Sequence, residues 1–270
     1  MKVAAYQAPL LPCGSQAAID FIRGQLDCCR TEGVQILCCP ECILGGLADN
    51  AATPSELALD VANGELAQHL APLASDQVAV ILGFTELGPA GRLYNSTALY
   101  HRGSVVGVYR KLYPAINKSV YSPGTEIPVF HIDGLTFGIV ICNDSNFIEP
   151  ARLIAAQGAA ALFIPTNNAL RPEKAPIVGM ARHTDTARAL ENGLTVIRAD
   201  VTGRCQGLVA YGTTAITDPE GTDLGTAQQF TEALIVAEID PHPPKHWWVE
   251  GGGHNPAVAQ AYARLVSPNP

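Results

Sequence analysis

Phe137-Gly138-Ile139-Val140-Ile141-Cys142-Asn143-Asp144 runs through apolar and β-branched residues and then stops at a thiol and two short polar side chains. Aromatic and β-branched residues suit a pleated strand, and a short unbroken apolar run suits one covered on both faces. Cys142 therefore stands where a strand ends, held by the sheet behind it and facing the loops in front. A thiol placed there can be a nucleophile. Free cysteine is also among the most buried residue types, so this stretch acquires meaning only in company.

Two other stretches have the same design. Val34-Gln35-Ile36-Leu37-Cys38-Cys39-Pro40-Glu41 is an apolar strand running into proline and a carboxylate, and Ser104-Val105-Val106-Gly107-Val108-Tyr109-Arg110-Lys111 is a strand running into a lysine. Taken singly, Glu41 reads as a loop carboxylate, Lys111 as a surface lysine and Asn143-Asp144 as a turn pair, because charged side chains are usually exposed. Three such residues, each at a strand end, argue against those ordinary readings. The chain here resembles the nitrilase superfamily of carbon-nitrogen hydrolases, whose motifs are a strand-end Pro-Glu, a Tyr-Arg-Lys and an Ile-Cys-x-Asp in that order. The resemblance runs from Val3-Ala4-Ala5-Tyr6-Gln7 to Ile239-Asp240-Pro241.

That resemblance implies an α/β fold, a four-layer α-β-β-α sandwich of two mixed sheets, with a hydrolase domain over 1–240 and a tail over 241–270. It implies a homodimer or larger homo-oligomer whose subunits pair through helices, and a reaction that needs no cofactor and no metal. Carried over residue by residue, it makes Cys142 the nucleophile and Glu41 the base. Lys111 and the backbone N–H of Asn143 become the donors to the oxygen that gains charge. A free thiol is mostly protonated at neutral pH, so such a nucleophile needs a base or a cation beside it. One donor to the developing oxyanion is worth about 3 kcal/mol.

The chain also departs from the family pattern. Relatives carry another glutamate in the loop between lysine and cysteine, whereas residues 112–124 hold no acidic side chain. Ser119 stands near that position, Lys118 precedes it as a cation that could attract an acidic substrate, and Glu126 is an imperfect substitute. Ile141-Cys142-Asn143-Asp144 is similar to the N-carbamoyl-D-amino-acid amidohydrolases, but Ser145-Asn146 follows where those place arginines. Nitrile-hydrolysing relatives place Trp-Glu after the cysteine. The expected substrate is therefore a small linear amide, with carbamoyl compounds and nitriles as alternatives and a non-catalytic binding protein as the rival reading. Ser119, Thr166, Asn167 and Asn168 are the candidate substrate contacts, the last three because Pro165-Thr166-Asn167-Asn168 ends the strand after Cys142.

Composition removes other classes. A formal charge of -8 with few basic residues leaves no stripe for nucleic acid. No apolar run approaches the roughly 20 residues of a membrane span, and the expected location is the cytoplasm. Eight cysteines include the adjacent pairs Cys28-Cys29 and Cys38-Cys39, which in that compartment read as reduced thiols. Cys39-Pro40-Glu41-Cys42 satisfies C-x-x-C, and with Cys38 it offers half a zinc site, but no second such knuckle exists. A Cys142–His183 protease pair has no evident third partner. His242 and His246 are separated by Pro243 and Pro244, which exclude the helix that would align them on a metal.

The remaining chain reads as alternating elements. A strand over 2–8, a helix capped by Ser15 with Ile19, Ile22, Leu26 and Cys29 inward, and Gly33 as its stop make a β-α-β opening with the strand over 34–39. Two short helices are expected over 55–74, a strand over 78–84, and hairpins over 95–110 and 128–142. A helix from Glu149 should bury Leu153, Ile154 and Ala156, followed by a strand over 161–164, a helix over 176–191 and a strand over 194–198. Asp218-Pro219-Glu220-Gly221 should turn between strands over 213–217 and 233–239. Trp247-Trp248 marks the tail as a docking segment for a neighbouring subunit. Strands interleaved with helices predict two sheets back to back with helices outside both.

Overall fold

The computed structural model describes residues 1–114, 118–242 and 255–266. Its first strand, β1 (Lys2–Pro9), is buried along nearly its whole length because both faces are covered. Val3 and Ala5 enter one apolar cluster, while Ala4, Tyr6 and Ala8 enter another, the period-2 alternation of a strand. Helix α1 (Ala18–Glu32) then buries Ala18, Ile22, Leu26 and Cys29 at helical spacing. Gly33, at φ 70°, closes it as a left-handed C-cap. Ser15 is not the N-cap expected of it. Ala17 holds that position, and the Ser15 hydroxyl oxygen accepts the Ala17 N–H at 3.3 Å.

Strand β2 (Ile36–Cys38) lies parallel to β1. The two short helices expected over 55–74 are only partly realised. Pro54–Leu57 is a 3-10 turn, followed by β3 (Ala58–Asp60), and α2 (Glu65–Leu70) alone is α-helical. Residues 58–60 become a strand because β4 (Ala79–Leu87) offers them a parallel edge, a partner that local sequence does not disclose. β5 (Leu93–His101) and β6 (Ser104–Arg110) continue antiparallel from β4. β7 (Val129–Ile132) and β8 (Leu135–Ile139) form the next hairpin, then come α3 (Ile148–Ala156) and β9 (Ala161–Pro165).

Helix α4 (Met180–Asn192) follows a 3-10 segment, Ala175–Gly179, and leads to β10 (Thr195–Ala199). From there β11 (Val201–Cys205) and β12 (Leu208–Ala210) make a hairpin that the sequence reading lacks. β13 (Ala215–Thr217) turns at Asp218-Pro219-Glu220-Gly221 into β14 (Asp223–Thr226), not directly into β15 (Ala233–Glu238) as expected. A last helix spans Pro256–Val266. His246 and Trp247-Trp248, central to the expected docking tail, lie outside the described residues.

One sheet runs β12-β11-β1-β2-β4-β5-β6, with β15 also on β1 and β3 also on β4; the other runs β14-β13-β10-β9-β8-β7. Parallel and antiparallel pairs occur in both. Ile36, Cys38 and Ile81 of the first meet Phe137, Ile139, Phe163 and Ile197 of the second in the core between them. Ile22, Leu26, Leu66 and Leu70 from α1 and α2 cover the first sheet's outer face. Ala151, Ile154 and Ala189 from α3 and α4 cover the second's. The architecture is thus the expected four-layer α-β-β-α sandwich.

The buried face of α3 differs from expectation. Pro150, Ala151 and Ile154 face inward, while Leu153 and Ala156 are exposed. Gly138 sets this register, since a Cβ there would lie 2.4 Å from the Ile154 side chain, so α3 seats directly on β8. Among the described residues no helix is long and apolar enough to cross a membrane.

Candidate active site

Glu41 comes three residues after Cys38, the end of β2, and it is buried to 1% exposure. Both of its oxygens are engaged: Oε1 accepts Lys111 Nζ at 2.6 Å and Asn95 Nδ2 at 2.7 Å, and Oε2 accepts the Asn167 backbone N–H at 2.9 Å. The loop that carries it rests on bare backbone. A Cβ at Gly83 of β4 would stand 2.2 Å from Cys42 N and 2.7 Å from Glu41 Cα. A glycine inside a strand marks such close approach.

Lys111 directly follows β6, its N–H donating to Asn95 O at 2.8 Å and its carbonyl accepting the Gly124 N–H at 2.7 Å. Its ammonium is almost fully enclosed. Burial alone would lower its pKa, but the charge of Glu41 foremost, with that of Asp144 behind it, holds it above the ordinary lysine value. Glu41 and Lys111 therefore form a desolvated ion pair, which is held by its own charge and by neighbouring donors rather than by water.

Cys142 is the first residue of a 3-10 turn, Cys142–Asn146, with φ at 45°. A non-glycine residue in that region carries strain and persists only when its surroundings enforce it. The enforcement comes from Asp144, whose carboxylate accepts the Tyr109 hydroxyl at 2.7 Å and the N–H groups of Ile141 at 3.0 Å and Tyr113 at 2.8 Å. Ser145 Oγ donates to Cys142 O at 2.9 Å. Behind the turn, Arg188 Nε and Nη2 donate to the carbonyls of Ser145 and Asn146, both at 3.1 Å.

Cys142 is partly exposed as a residue, while its thiol is turned inward toward the polar groups of the site. Burial first and the Glu41 charge second push its pKa up to about 12, against the pull of Lys111 and Arg198. The resting sulfur thus carries its proton and lies 3.7 Å from Asn168 Oδ1. Asn143 follows it in the first turn, where N–H groups lack intrahelical acceptors, and its side chain donates to Tyr113 O at 3.1 Å.

The structure distributes the other sequence candidates unequally. Asn167 and Asn168 stand at the site, the first through its N–H on Glu41 and the second through its oxygen beside Cys142. Thr166 lies underneath, fully buried, its hydroxyl donating to Ile164 O at 3.1 Å and accepting Arg198 Nη1 at 2.6 Å. Ser119 Oγ donates to Asp49 at 2.9 Å, which ties the loop to a different turn. Glu126 is exposed and lines a cavity of about 570 Å³ with Arg110 and Glu86, so it does not stand in for a glutamate beside Lys111. Lys118 and His183 are exposed. Cys38, Cys39 and Cys42 fall in three different apolar clusters and so do not converge on a metal.

Several residues that shape the site were absent from the sequence reading. Asn95 grips Glu41 from β5. Arg198, 1% exposed, pairs through Nε with Asp185 at 2.6 Å and reaches Ser145 Oγ at 3.0 Å. Asp200 is fully buried between β10 and β11. A signal for the last two was present: Arg198 and Asp200 flank Ala199 at the end of an apolar strand, and charges are buried there only when paired or richly hydrogen-bonded.

The chain is similar to known proteins along most of its length. A family model described as Carbon-nitrogen hydrolase matches residues 2–244. The chain is 30% identical over 245 residues to a protein of Pseudomonas protegens called "Hydrolase in pqqF 5'region", covering 89% of this chain and 83% of that one. It is 31% identical over 208 residues to an (R)-stereoselective amidase of Pseudomonas sp., covering 76% and 73%. Among solved structures, an amidase from Nesterenkonia sp. AN1 with acrylamide added at its active-site cysteine superposes with a TM-score of 0.77 at 24% identity, over 97% of this chain and 99% of that one.

Proposed function

Because the chain belongs to the carbon-nitrogen hydrolase family, acting on carbon–nitrogen bonds other than peptide bonds, we propose that it cleaves a small linear amide through a thioester on Cys142. Glu41 takes the thiol proton as sulfur attacks the amide carbon. The carbonyl oxygen gains negative charge opposite the Lys111 ammonium and the Asn143 N–H, donors fixed before the reaction begins. As the C–N bond breaks, Glu41 returns the proton to the leaving nitrogen, and ammonia or an amine departs. Water then attacks the thioester, Glu41 accepts its proton, and the acid leaves as the C–S bond breaks and the thiol regains its hydrogen. One carboxylate serves both halves.

The observation that carries this reading is the buried Glu41–Lys111 pair, 2.6 Å apart, beside a partly exposed cysteine on a strained turn. A thiol raised to about 12 is a poor nucleophile unless a base stands by it, which is the need that Glu41 meets. The test is ammonia release from linear amides, ω-amides, carbamoyl compounds and nitriles, with Cys142→Ala as control. Release that vanishes in the variant is expected, strongest with a linear amide. Full turnover by Cys142→Ala, or silence across the panel from a chain whose Cys142 also resists alkylation, would overturn the proposal in favour of a binding role.

The subunits of this enzyme pair through α3 and α4. Ile148 at 57% exposure, Leu153 at 42% and Met180 at 63% support that surface, being large apolar groups left in water by the single chain. Sedimentation should give a dimer or larger assembly, and Leu153→Glu with Met180→Glu should shift it toward monomer.

A further inference from the structure

The chemistry above assigns donors to the carbonyl oxygen of the substrate and a returning proton to its nitrogen, but no acceptor for the hydrogens that nitrogen already carries. Asn168 stands beside the sulfur, and which atom of its amide faces there decides what it binds. Its other neighbours settle the matter. Nδ2 lies 3.2 Å from Asp200 Oδ2 and 3.3 Å from Thr213 Oγ1. Asp200 Oδ2 also receives the Thr213 N–H at 3.1 Å and the Thr213 hydroxyl at 2.6 Å, while Oδ1 receives the N–H groups of Asn168 at 3.0 Å and Val201 at 2.8 Å.

So many donors leave the carboxylate an acceptor. Thr213 has committed its proton to Asp200, so its oxygen also accepts from Asn168. Only an NH₂ group satisfies both. A flipped amide would set an oxygen against two acceptors, one of them the fully buried Asp200, at the cost of unpaired polar groups. Oδ1 is therefore turned toward Cys142 Sγ, 3.7 Å away.

An acceptor at that distance from the attacking sulfur lies where the substituents of the attacked carbon must sit. Lys111 and the Asn143 N–H offer hydrogens to one of those substituents, and Asn168 Oδ1 offers lone pairs to another. We propose that Asn168 Oδ1, oriented by Asp200 and Thr213, accepts an N–H of the leaving nitrogen and selects amides bearing such a hydrogen over esters of the same acyl group. The proposal rests on the hydrolase reading of Cys142. It has a consequence for the thiol, whose S–H uses the same acceptor at rest. Substrate N–H displaces that bond, which frees the thiol proton to turn to Glu41.

The orienting residues are anchored by the fold. Asp200 sits between the last residue of β10, in one sheet, and the first of β11, which pairs with β1 in the other. Its own N–H is held by Thr214 Oγ1 at 2.9 Å. Thr213 and Asp200 act on substrate through Asn168 and are positioning residues.

Two measurements test this. The first is kcat/KM for propionamide and methyl propionate in the native enzyme, Asn168→Ala and Thr213→Val. Asn168→Ala should lower the amide value by about 10-fold or more and leave the ester within a few-fold. Thr213→Val should shift the ratio in the same direction by less. Equal losses on both compounds would show a merely structural role and overturn the proposal. The second is the affinity of the two compounds, by NMR titration, for Cys142→Ala with and without Asn168→Ala. Tighter binding of the amide that disappears with Asn168→Ala is expected. That preference without turnover in the native enzyme would sink the hydrolase reading and keep Asn168 as the acceptor for an amide N–H; no preference in either measurement would sink the proposal.

Discussion

Gly83→Ala should disable the enzyme by moving the carboxylate of Glu41, although residue 83 touches no substrate. The added carbon would lie 2.2 Å from Cys42 N and 2.7 Å from both Glu41 Cα and C, all backbone atoms without a rotamer to yield. Ordinary carbon contacts are about 3.5–4.0 Å, so strand and loop must part by about 1 Å. The loop is meanwhile pinned to the same strand, with Gly83 N on Pro40 O and Leu44 N on Gly83 O, both at 3.2 Å. A contact such as the 2.7 Å one from Asn95 to Glu41 does not survive that shift as a hydrogen bond. Overpacking of this kind costs about 1–3 kcal/mol, and a 1 Å misplacement of a reacting group costs about 100-fold in kcat. Urea denaturation and turnover of the best amide in the panel read the two effects separately. Gly24→Ala is the control, since nothing lies within 4 Å of its Cβ in α1, and it should stabilise by about 0.5–1 kcal/mol without touching kcat. Native turnover in a folded Gly83→Ala protein would mean that Glu41 can move freely, and the base would have to be sought elsewhere.

Three further outcomes follow from the same geometry. Glu41→Gln keeps the volume but replaces one acceptor with a donor that faces Lys111, Asn95 or the Asn167 N–H, and kcat should fall about 100-fold or more; an unchanged rate constant for acylation in single-turnover kinetics would contradict that. Arg198→Met leaves the buried Asp185 with Arg182 as its remaining cation, and a loss of about 3 kcal/mol in urea is expected, against which a loss below about 1 kcal/mol would count. Cys29, Cys42 and Cys142 are each pushed up to about 12, chiefly by burial. An unfolded thiol titrates near about 8.5, so the folded state holds these protons more tightly. The stability they contribute is complete below that value and is lost as pH climbs toward 12. Urea midpoints measured from pH 7 to pH 10 should decline at the alkaline end, and a flat profile would deny that the thiols are desolvated in the fold.

Much of the sandwich was legible because its central strands are covered on both sides. A strand such as Val34-Gln35-Ile36-Leu37-Cys38-Cys39 must be apolar on alternate faces for two different cores, so it announces itself as a run. Glu41, Lys111 and Cys142 were legible for a related reason, since each interrupts such a run at its end. The strands that were missed have no run to interrupt. Ala58–Asp60 and Asp223–Thr226 are partly or largely exposed, and Val201-Thr202-Gly203-Arg204-Cys205 mixes polar and apolar residues because it sits near a sheet's rim. Their pairing is decided by partners distant in sequence, which context-dependent strand propensity does not reveal. Leu153 was misassigned because helical spacing alone permits either of two adjacent faces, and the choice was made by Gly138, which admits Ile154.

The side chains that orient the site were illegible for a different reason. Asn95, Asp185, Arg198 and Asp200 touch one another or the catalytic candidates across long stretches of chain, and each is an ordinary polar residue until its partner is known. Their placement follows from building one site out of two sheets. Glu41 and Lys111 hang from the first sheet, Cys142, Asn167 and Asn168 from the second, and a slip of the sheets would separate Glu41 from Cys142. The Asn167 N–H on Glu41 ties the two edges directly at 2.9 Å. Asp200 ties them again, because its carboxylate gathers N–H groups from Asn168, Val201 and Thr213 at the point where the chain passes from one sheet to the other. A buried carboxylate there is costly to desolvate, and burial raises its pKa accordingly. That cost is tolerated where an apolar residue could not hold three backbone segments in register. The same group that locks the sheets thus turns Asn168 toward the sulfur, so alignment of the layers and recognition of the leaving nitrogen depend on one side chain.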